Sequence, residues 1–513
     1  MVTLAAQRSC LLVVFLLPAL ALAAEPKRDA KPPSQAQKED AYYRLVTLPA
    51  PPDLVLEVGG LAWLDAAQER LLACTRRGDI LIIDNPYSES PDLTGPAAVR
   101  YKPFVSGLHE PLGMAVKDGD VYLVQRGELT RVRDQDKDGR ADLVENFCNA
   151  WQVSGNYHEF AFGPVLDRAG NFWVTLNRPF GGGPEGQALW RGWAVKVDAK
   201  GRMTPVCCGI RSPAGLGMNG DGEIFYTDNQ GEWTPACKLA HISPKSFHGE
   251  ATGVASCSDP RSPMKPPLVT KGDIVLADAV KQIPELKLPA VWFPYPRMGR
   301  SHGEPHVDST AGKFGPFAGQ MFVGDQGNSI VVRCFLEKVG GEYQGACFPF
   351  REGFQCGALR LLFGKDGSLF VGQTNRGWGS SGGKPWGLQR LVWTGKTPFE
   401  AHEMRARPDG FEVTFTQPVD PTTAADPRSY AMKRWTYYHH PGYGCPPVDT
   451  QPITVTSAKV APDGRSVRLT VNALKATYVH ELRLDGVRSA DGQSLLHPEA
   501  YYTLNRIPES GPR

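Results

Sequence analysis

Between Asp134 and Glu145, four aspartates and one glutamate fall at the spacing that surrounds a hard divalent cation. Asp134, Asp136 and Asp138 alternate, so their carboxylates converge. Gly139 permits a sharp turn, and Arg140 offers only its carbonyl. Asp142 stands at loop position nine, and Glu145 at position twelve can close the shell with two oxygens. The pattern predicts a Ca2+ loop whose ion is structural rather than catalytic. The competing reading is a solvated acidic turn between strands. Helices need not flank the loop, because an apolar strand over 121–132 leads into it.

A second cluster is Asn156-Tyr157-His158-Glu159. His158 is a candidate general base, since imidazole titrates near working pH; alternatively it is a packed, hydrogen-bonded histidine. Arg211, in Gly209-Ile210-Arg211-Ser212-Pro213, is a candidate for holding a carboxylate or a quinone oxygen by paired hydrogen bonds. The alternative is a plain ion pair with a nearby acid. Asp228, Asn229 and Gln230 follow an apolar strand and offer polar groups, Asn229 to a cofactor, or merely form a turn. The Gly-rich stretch 373–387 carries Arg376, Trp378, Lys384 and Trp386. Its Arg376, Trp378 and Trp386 suit a sugar, although Trp also closes contacts between sheets.

Other motifs carry less. His302, Glu304, His306 and Asp308 would share one face of a strand and could ligate a transition metal. Gly303 and Pro305 argue for a loop instead. Gly181-Gly182-Gly183 lacks the Lys-Ser/Thr ending of a phosphate loop. Tyr437-Tyr438-His439-His440 is expected to pack against its surroundings.

These residues need a scaffold, and the chain repeats one. Leu61–Leu64, Gly113–Val116, Phe160–Phe162, Leu216–Met218, Gln320–Asp325 and Leu361–Phe363 each open the same phrase: a short apolar strand, a turn, then a second strand. Six copies over 45–395 give about 58 residues each, the length of a four-stranded propeller blade with long loops. The expected fold is all-β: a six-bladed β-propeller over 45–396. Five or seven blades are the alternatives, because the long gap between copies four and five hides its strands. From 397 to 506 strict alternation, as in Phe411-Glu412-Val413-Thr414-Phe415, predicts a small immunoglobulin-like or fibronectin-like β-sandwich. Residues 507–513 form a loose tail.

The 513 residues include 56 Lys+Arg and 54 Asp+Glu, a balance unlike that of a nucleic-acid-binding protein. Arg8, the apolar run from Leu11 and the small residues Ala21–Ala24 read as a signal peptide over 1–24. Cys10 precedes that run, which argues against a lipid anchor. Residues 25–44, rich in Lys, Pro and Ala, read as a disordered leader. The expectation is an exported protein, periplasmic or extracellular, with no transmembrane segment after processing. In an oxidising compartment some of the ten remaining cysteines are expected to pair. For Cys207 and Cys208, separate partners are preferred to a strained vicinal bridge. No C-x-x-C-H haem motif and no C-x-x-C zinc pair occurs.

Phe160–Pro164 with Asn171–Val174, and Gly209–Leu216 with Phe225–Asn229, resemble the glucose/sorbosone dehydrogenase-like propellers over roughly residues 55 to 395. Gly127–Arg131 resembles their secreted bacterial, membrane-bound-dehydrogenase branch. The resemblance implies a His base, an Arg at the position of Arg211, and pyrroloquinoline quinone (PQQ) held with calcium. The chain departs from the family pattern in three places. Gly155 stands where the family has its His, so His158 is a displaced candidate. Gly357 and Leu359, with Arg360 nearby, replace a basic pair. The Asp134–Glu145 loop is not the family's cofactor-bridging calcium site.

Three functions remain in play. The first is oxidation of a sugar or small alcohol, with a separate electron acceptor. The second is a non-catalytic, calcium-braced propeller that binds glycan or protein. The third is a calcium-dependent hydrolase or lyase, since a propeller mouth supports several chemistries.

Overall fold

The computed structural model describes residues 33–180 and 188–509. The expected signal peptide, the start of the expected leader, Gly181–Gly183 and the end of the tail lie outside them. Five of the six repeats detected in the sequence open an antiparallel sheet; the fifth, Gln320–Asp325, is the second strand of its sheet, after His302–Val307. Asp-Gly turns supply the register. At Asp118-Gly119 both residues lie at positive φ, 55° and 86°. That geometry matches the right-handed twist of the strands it joins, Met114–Lys117 and Asp120–Val124.

The first sheet holds Val58–Trp63, Arg70–Thr75, Ile80–Asp84 and Arg100–Val105. The second adds Leu129–Arg133 and Leu143–Cys148 to the hairpin just named. The third is Ala161–Leu166, Phe172–Leu176, Trp193–Val197 and Met203–Cys208. The fourth begins with Pro213–Met218, Ile224–Asp228 and Cys237–His241. It is completed by Val291–Phe293 after a long excursion containing the helix Leu276–Gln282. That excursion is the gap between the fourth and fifth repeats.

The fifth sheet starts with His302–Val307, Met321–Asp325, Ile330–Val339 and Glu342–Arg351. The sixth is Ala358–Phe363, Leu369–Thr374, Trp386–Trp393 and, as its outer strand, Tyr43–Thr47. The opening strands of the six sheets touch in succession, and that of the sixth touches that of the first. Their packed faces form separate apolar cores between neighbouring sheets. The arrangement is of propeller type.

Arg360, on the opening strand of the sixth sheet, is fully buried. Its guanidinium donates to the carbonyls of Gly59 and Ala214, both at 2.6 Å, and of Leu112 at 3.3 Å. One side chain thus satisfies backbone oxygens from three other parts of the ring.

The C-terminal region is not a separate bead. Glu499–Leu504 pairs with Glu342–Arg351, placing Cys347 opposite Tyr501, and Tyr478–Arg483, Ala431–Thr436 and Val448–Ile453 follow. The fifth sheet therefore runs into an eight-stranded sheet. A second sheet, Ala401–Arg407, Gly410–Phe415, Ser466–Val471 and Val455–Val460, encloses a core with it. Phe335, Phe348, Phe411, Leu469, Leu482 and Tyr502 belong to that core.

Several expectations need correction. The stretch read as a disordered leader is ordered from the helix Gln35–Glu39 onward, and its strand begins at Tyr43. Burial explains this. Glu39 is buried against Arg351 at 3.1 Å and His497 at 2.7 Å. His302–Val307 is a strand rather than a loop, with a bulge that absorbs Gly303. Its His302 stacks on Phe293 at 3.8 Å and bonds the Met298 carbonyl, so it faces the interior. All ten cysteines among the described residues are free and buried. Cys207 and Cys208 alternate along one strand and enter different cores, which excludes a bridge between them.

Candidate functional site

A cavity of about 210 Å³ opens where the second strands of the sheets end. The residues that follow those strands line it: Arg76, Asn177, Asn229, Gln326 and Arg376. Segments leading into opening strands supply His158, Phe160, Ser212 and Arg300. The cavity brings together His158, Arg211, Asn229, Arg376 and Trp378 from the sequence candidates.

Two expected residues need different descriptions. Trp386 lies outside the cavity, on its own strand, packed against the core between the sixth and first sheets. The acidic loop from Asp134 also lies elsewhere, between the last two strands of the second sheet.

Arg211 is set by its neighbours. Its Nε and Nη2 each lie 2.8 Å from Glu232 Oε2, and its guanidinium covers Phe180 at 4.5 Å. Arg178 reaches the same Glu232 oxygen at 2.6 Å. Burial opposes the Glu232 charge, but the two guanidiniums outweigh it and hold the carboxyl below its usual range. Across the cavity Glu110 is shared by Arg76 and Arg126, each at 2.6 Å. Glu57 is shared by Arg77 at 3.0 Å and Arg376 at 3.3 Å. Arg376 and Trp378 are held in place through their carbonyls. Gln326 Nε2 donates to Trp378 at 2.8 Å and to Arg376 at 3.2 Å, and Arg76 also bonds the Arg376 carbonyl.

His158 packs its ring on Phe180 at 4.7 Å. Its ring nitrogens make no hydrogen bond among the described residues, while its backbone N–H is bound to Asn156 Oδ1 at 3.0 Å. Burial, and then the charges of Arg126, Arg211 and Arg178, push its pKa below the ordinary 6.5. At neutral pH it is an uncharged imidazole able to take a proton. Asn177 lines the cavity but is buried, and its Oδ1, itself shielded from solvent, has no hydrogen-bond partner among the described residues.

The sequence reading missed Arg76, Asn177, Arg300, Gln326 and Tyr443. A signal existed for three of these: each of Arg76, Asn177 and Gln326 directly follows the second strand of a repeat, as Asn229 does. Tyr443 carries no such signal, because it arrives from the C-terminal region.

In the acidic loop, Asp134, Asp136 and Asp138 bring carboxylate oxygens within 4.8 Å of one another. Asp134 Oδ2 accepts from Gly139 N–H at 3.0 Å, with Gly139 at φ 88°. Asp134 Oδ1 and Glu145 Oε2 are buried without a hydrogen bond. The Glu145 oxygen lies 3.9 Å from both Arg131 and Arg133. Asp142 instead accepts from the backbone of Gln135 at 2.6 Å.

No family model and no curated protein matches the chain. Among solved structures, similarity extends to an oxidoreductase of Thermus thermophilus described as a glucose dehydrogenase: 17% identity, TM-score 0.47, covering 68% of this chain and 100% of that one. The PQQ-bound aldose sugar dehydrogenase of Streptomyces coelicolor gives 13% identity and TM-score 0.45 over 69% and 99%. A gluconolactonase of Xanthomonas campestris gives 14% and 0.40 over 69% and 92%. Likeness at this level carries no chemistry across to this chain.

Proposed function

We propose that the protein is an exported oxidoreductase acting on a sugar or small alcohol, built on a closed six-bladed propeller with an appended immunoglobulin-like module. The observation that supports the chemistry most directly is the cavity itself. It joins an uncharged, unbonded imidazole, His158, to a wall of arginines.

In this reading His158 takes the proton of the substrate hydroxyl. Asn229 orients a neighbouring hydroxyl, and Trp378 covers an apolar sugar face. The cavity residues fit an acidic planar quinone such as PQQ. Arg211, whose Nη1 is left free by Glu232, would hold a carboxylate and Phe160, Phe162 and Phe180 its ring faces, while Arg76, engaged by Glu110 and the Arg376 carbonyl, and Arg360, engaged by carbonyls, are not available. Bound there, the quinone would supply the two-electron acceptor that the side chains lack. A separate protein or dye would then have to carry the electrons away, since the chain has no haem-attachment motif.

Calcium has a place in this reading as a brace. The acidic loop fits it through three convergent aspartates, of which Asp134 Oδ1 is buried without a hydrogen bond among the described residues, while Glu145 faces Arg131 and Arg133. The export step rests on the N-terminal sequence.

The test is a dye-reduction assay on the purified chain loaded with PQQ and calcium, using aldoses and small alcohols. Substrate-dependent reduction that His158→Ala abolishes supports the reading. Saturable glycan binding with no reduction by the loaded protein favours the non-catalytic alternative.

A further inference from the structure

We propose that the ligand of this cavity is an anionic saccharide chain of at least two units. Its charged group docks on Arg300 and Arg376, and its next unit stacks on Tyr443. The proposal deepens the functional reading above and rests on it for the choice of site.

Charge is the first argument. Among the described residues, every charged side chain that lines the cavity is an arginine. The carboxylates stand behind the wall: Glu57 and Glu232 are each shared between two arginines, and Glu110 among three, Arg376 included at 3.6 Å. The cluster therefore keeps a surplus of positive charge. Arg300 sharpens this, because its guanidinium makes no ion pair or hydrogen bond among the described residues. Its side chain lies over Gly327, the residue after Gln326, whose amide fixes the Arg376 loop. Arg300 is exposed at the mouth, and an Arg fork there takes a carboxylate or a sulfate ester with paired, charge-assisted hydrogen bonds that a neutral sugar does not match.

Extent is the second argument. Tyr443 is 61% exposed and Trp378 51% exposed, yet both line the cavity. Exposed aromatic faces at a site wall are suited to sugar rings. Tyr443 also lines a second cavity of about 320 Å³, together with Tyr295, Pro446 and Pro447. Gln230 is shared between the two cavities in the same way. A single sugar stays within the first cavity, whereas a chain crosses Tyr443 into the second.

Position is the third argument. Tyr443 is fixed on the mouth by its backbone neighbours. Gly444 donates to the Gly231 carbonyl at 3.1 Å and Cys445 to that of Pro235 at 2.9 Å, while Trp233 donates to His440 at 2.8 Å. The C-terminal region thus supplies a wall of the site rather than a spacer.

The test is calorimetric titration of the full chain without quinone. The probes are a galacturonate tetramer, its methyl ester, a sulfated galactan tetramer and monomeric galacturonate, at low and high salt. At least one charged tetramer is expected to bind about tenfold or more tightly than the ester and the monomer, and to weaken with salt. The stronger of the two identifies the anion. Arg300→Met should lower that affinity about tenfold. Tyr443→Ala should weaken the tetramer but not the monomer, and Tyr443→Phe should restore it. Equal binding of acid and ester, or of tetramer and monomer, overturns the proposal, as does indifference to both substitutions in folded protein.

The two readings fail separately. Neutral monosaccharide oxidation unaffected by Arg300→Met sinks this proposal and leaves the oxidoreductase standing. Tight charged-tetramer binding without dye reduction by the loaded protein supports this proposal and removes the oxidoreductase.

Discussion

Arg211 and Glu232 meet through a single carboxylate oxygen, Oε2, which receives both Nε and Nη2 at 2.8 Å. The guanidinium lies flat over Gly231, where an added Cβ would stand 1.8 Å from Arg211 Cζ. The absence of a side chain at 231 is thus a condition of the arginine's position.

Two substitutions test that relationship. Gly231→Ala expels the guanidinium, and Glu232→Gln leaves Arg211 and Arg178 without their shared anion. Each is expected to lower kcat/KM about tenfold to a hundredfold, because a misplaced positioning group costs that much. Steady-state kinetics with a melting curve checks this; a normal kcat/KM in either variant refutes the role.

In the proposed reaction His158 should set the acid limb of the pH–rate profile. Its folded pKa is lowered, so activity that needs the neutral ring should rise with pH through a value below 6.5. Removing a nearby cation with Arg126→Gln raises that pKa and should shift the limb to higher pH. His158→Ala should cost about 10² to 10⁴ in rate. A limb that stays in place in Arg126→Gln would count against His158 as the titrating group.

His497 joins the N-terminal helix to the C-terminal sheets. Its ring bonds Glu400 at 2.6 Å and Glu39 at 2.7 Å in the interior. Burial alone would push the imidazole down; Glu400 and Glu39 overcome this and raise it to about 9. A raised histidine stabilises fully below the unfolded value and loses that contribution as pH climbs through about 9. Urea denaturation at pH 7 and pH 10 should show a loss of about 2–4 kcal/mol in the parent. His497→Gln should flatten that difference.

The acidic loop should respond to calcium. Ligand that binds only the native state raises Tm, so added Ca2+ should increase it and a chelator should reverse the gain. Asp136→Asn with Glu145→Gln should abolish the response without touching the cavity. Differential scanning calorimetry reads both effects; an unchanged Tm in calcium rejects the site.

Arg360 is a purely structural expectation. Its side chain is buried and bonded to carbonyls of Gly59, Leu112 and Ala214, with Glu304 3.9 Å away. Arg360→Met leaves these groups unmet and should cost about 3–5 kcal/mol. Equilibrium unfolding measures it.

Much of the architecture was legible because it repeats. Each apolar phrase with its turn, such as Met114–Lys117 through Asp118-Gly119, folds locally into a hairpin, and hairpins are short-range objects. The strand Val291–Phe293 was not legible: three residues after a long excursion pair with Cys237–Leu239 only because the fold returns them there. The start of Tyr43–Thr47 was likewise read as the end of a leader over 25–44, since its partner Trp386–Trp393 is remote in the chain.

The site divides the same way. Local spacing alone determined the acidic loop and singled out His158, Arg211, Asn229, Arg376 and Trp378, because residue type and neighbouring strand were enough to nominate them. Only the tertiary structure decided that those five share a cavity, that Trp386 does not, and that Arg300 and Tyr443 complete the wall. The physical reason is the ring. It collects strand ends from five of the six sheets at a common mouth, so residues hundreds of positions apart become neighbours, while Trp386, at the start of its own strand, packs against the core between the sixth and first sheets.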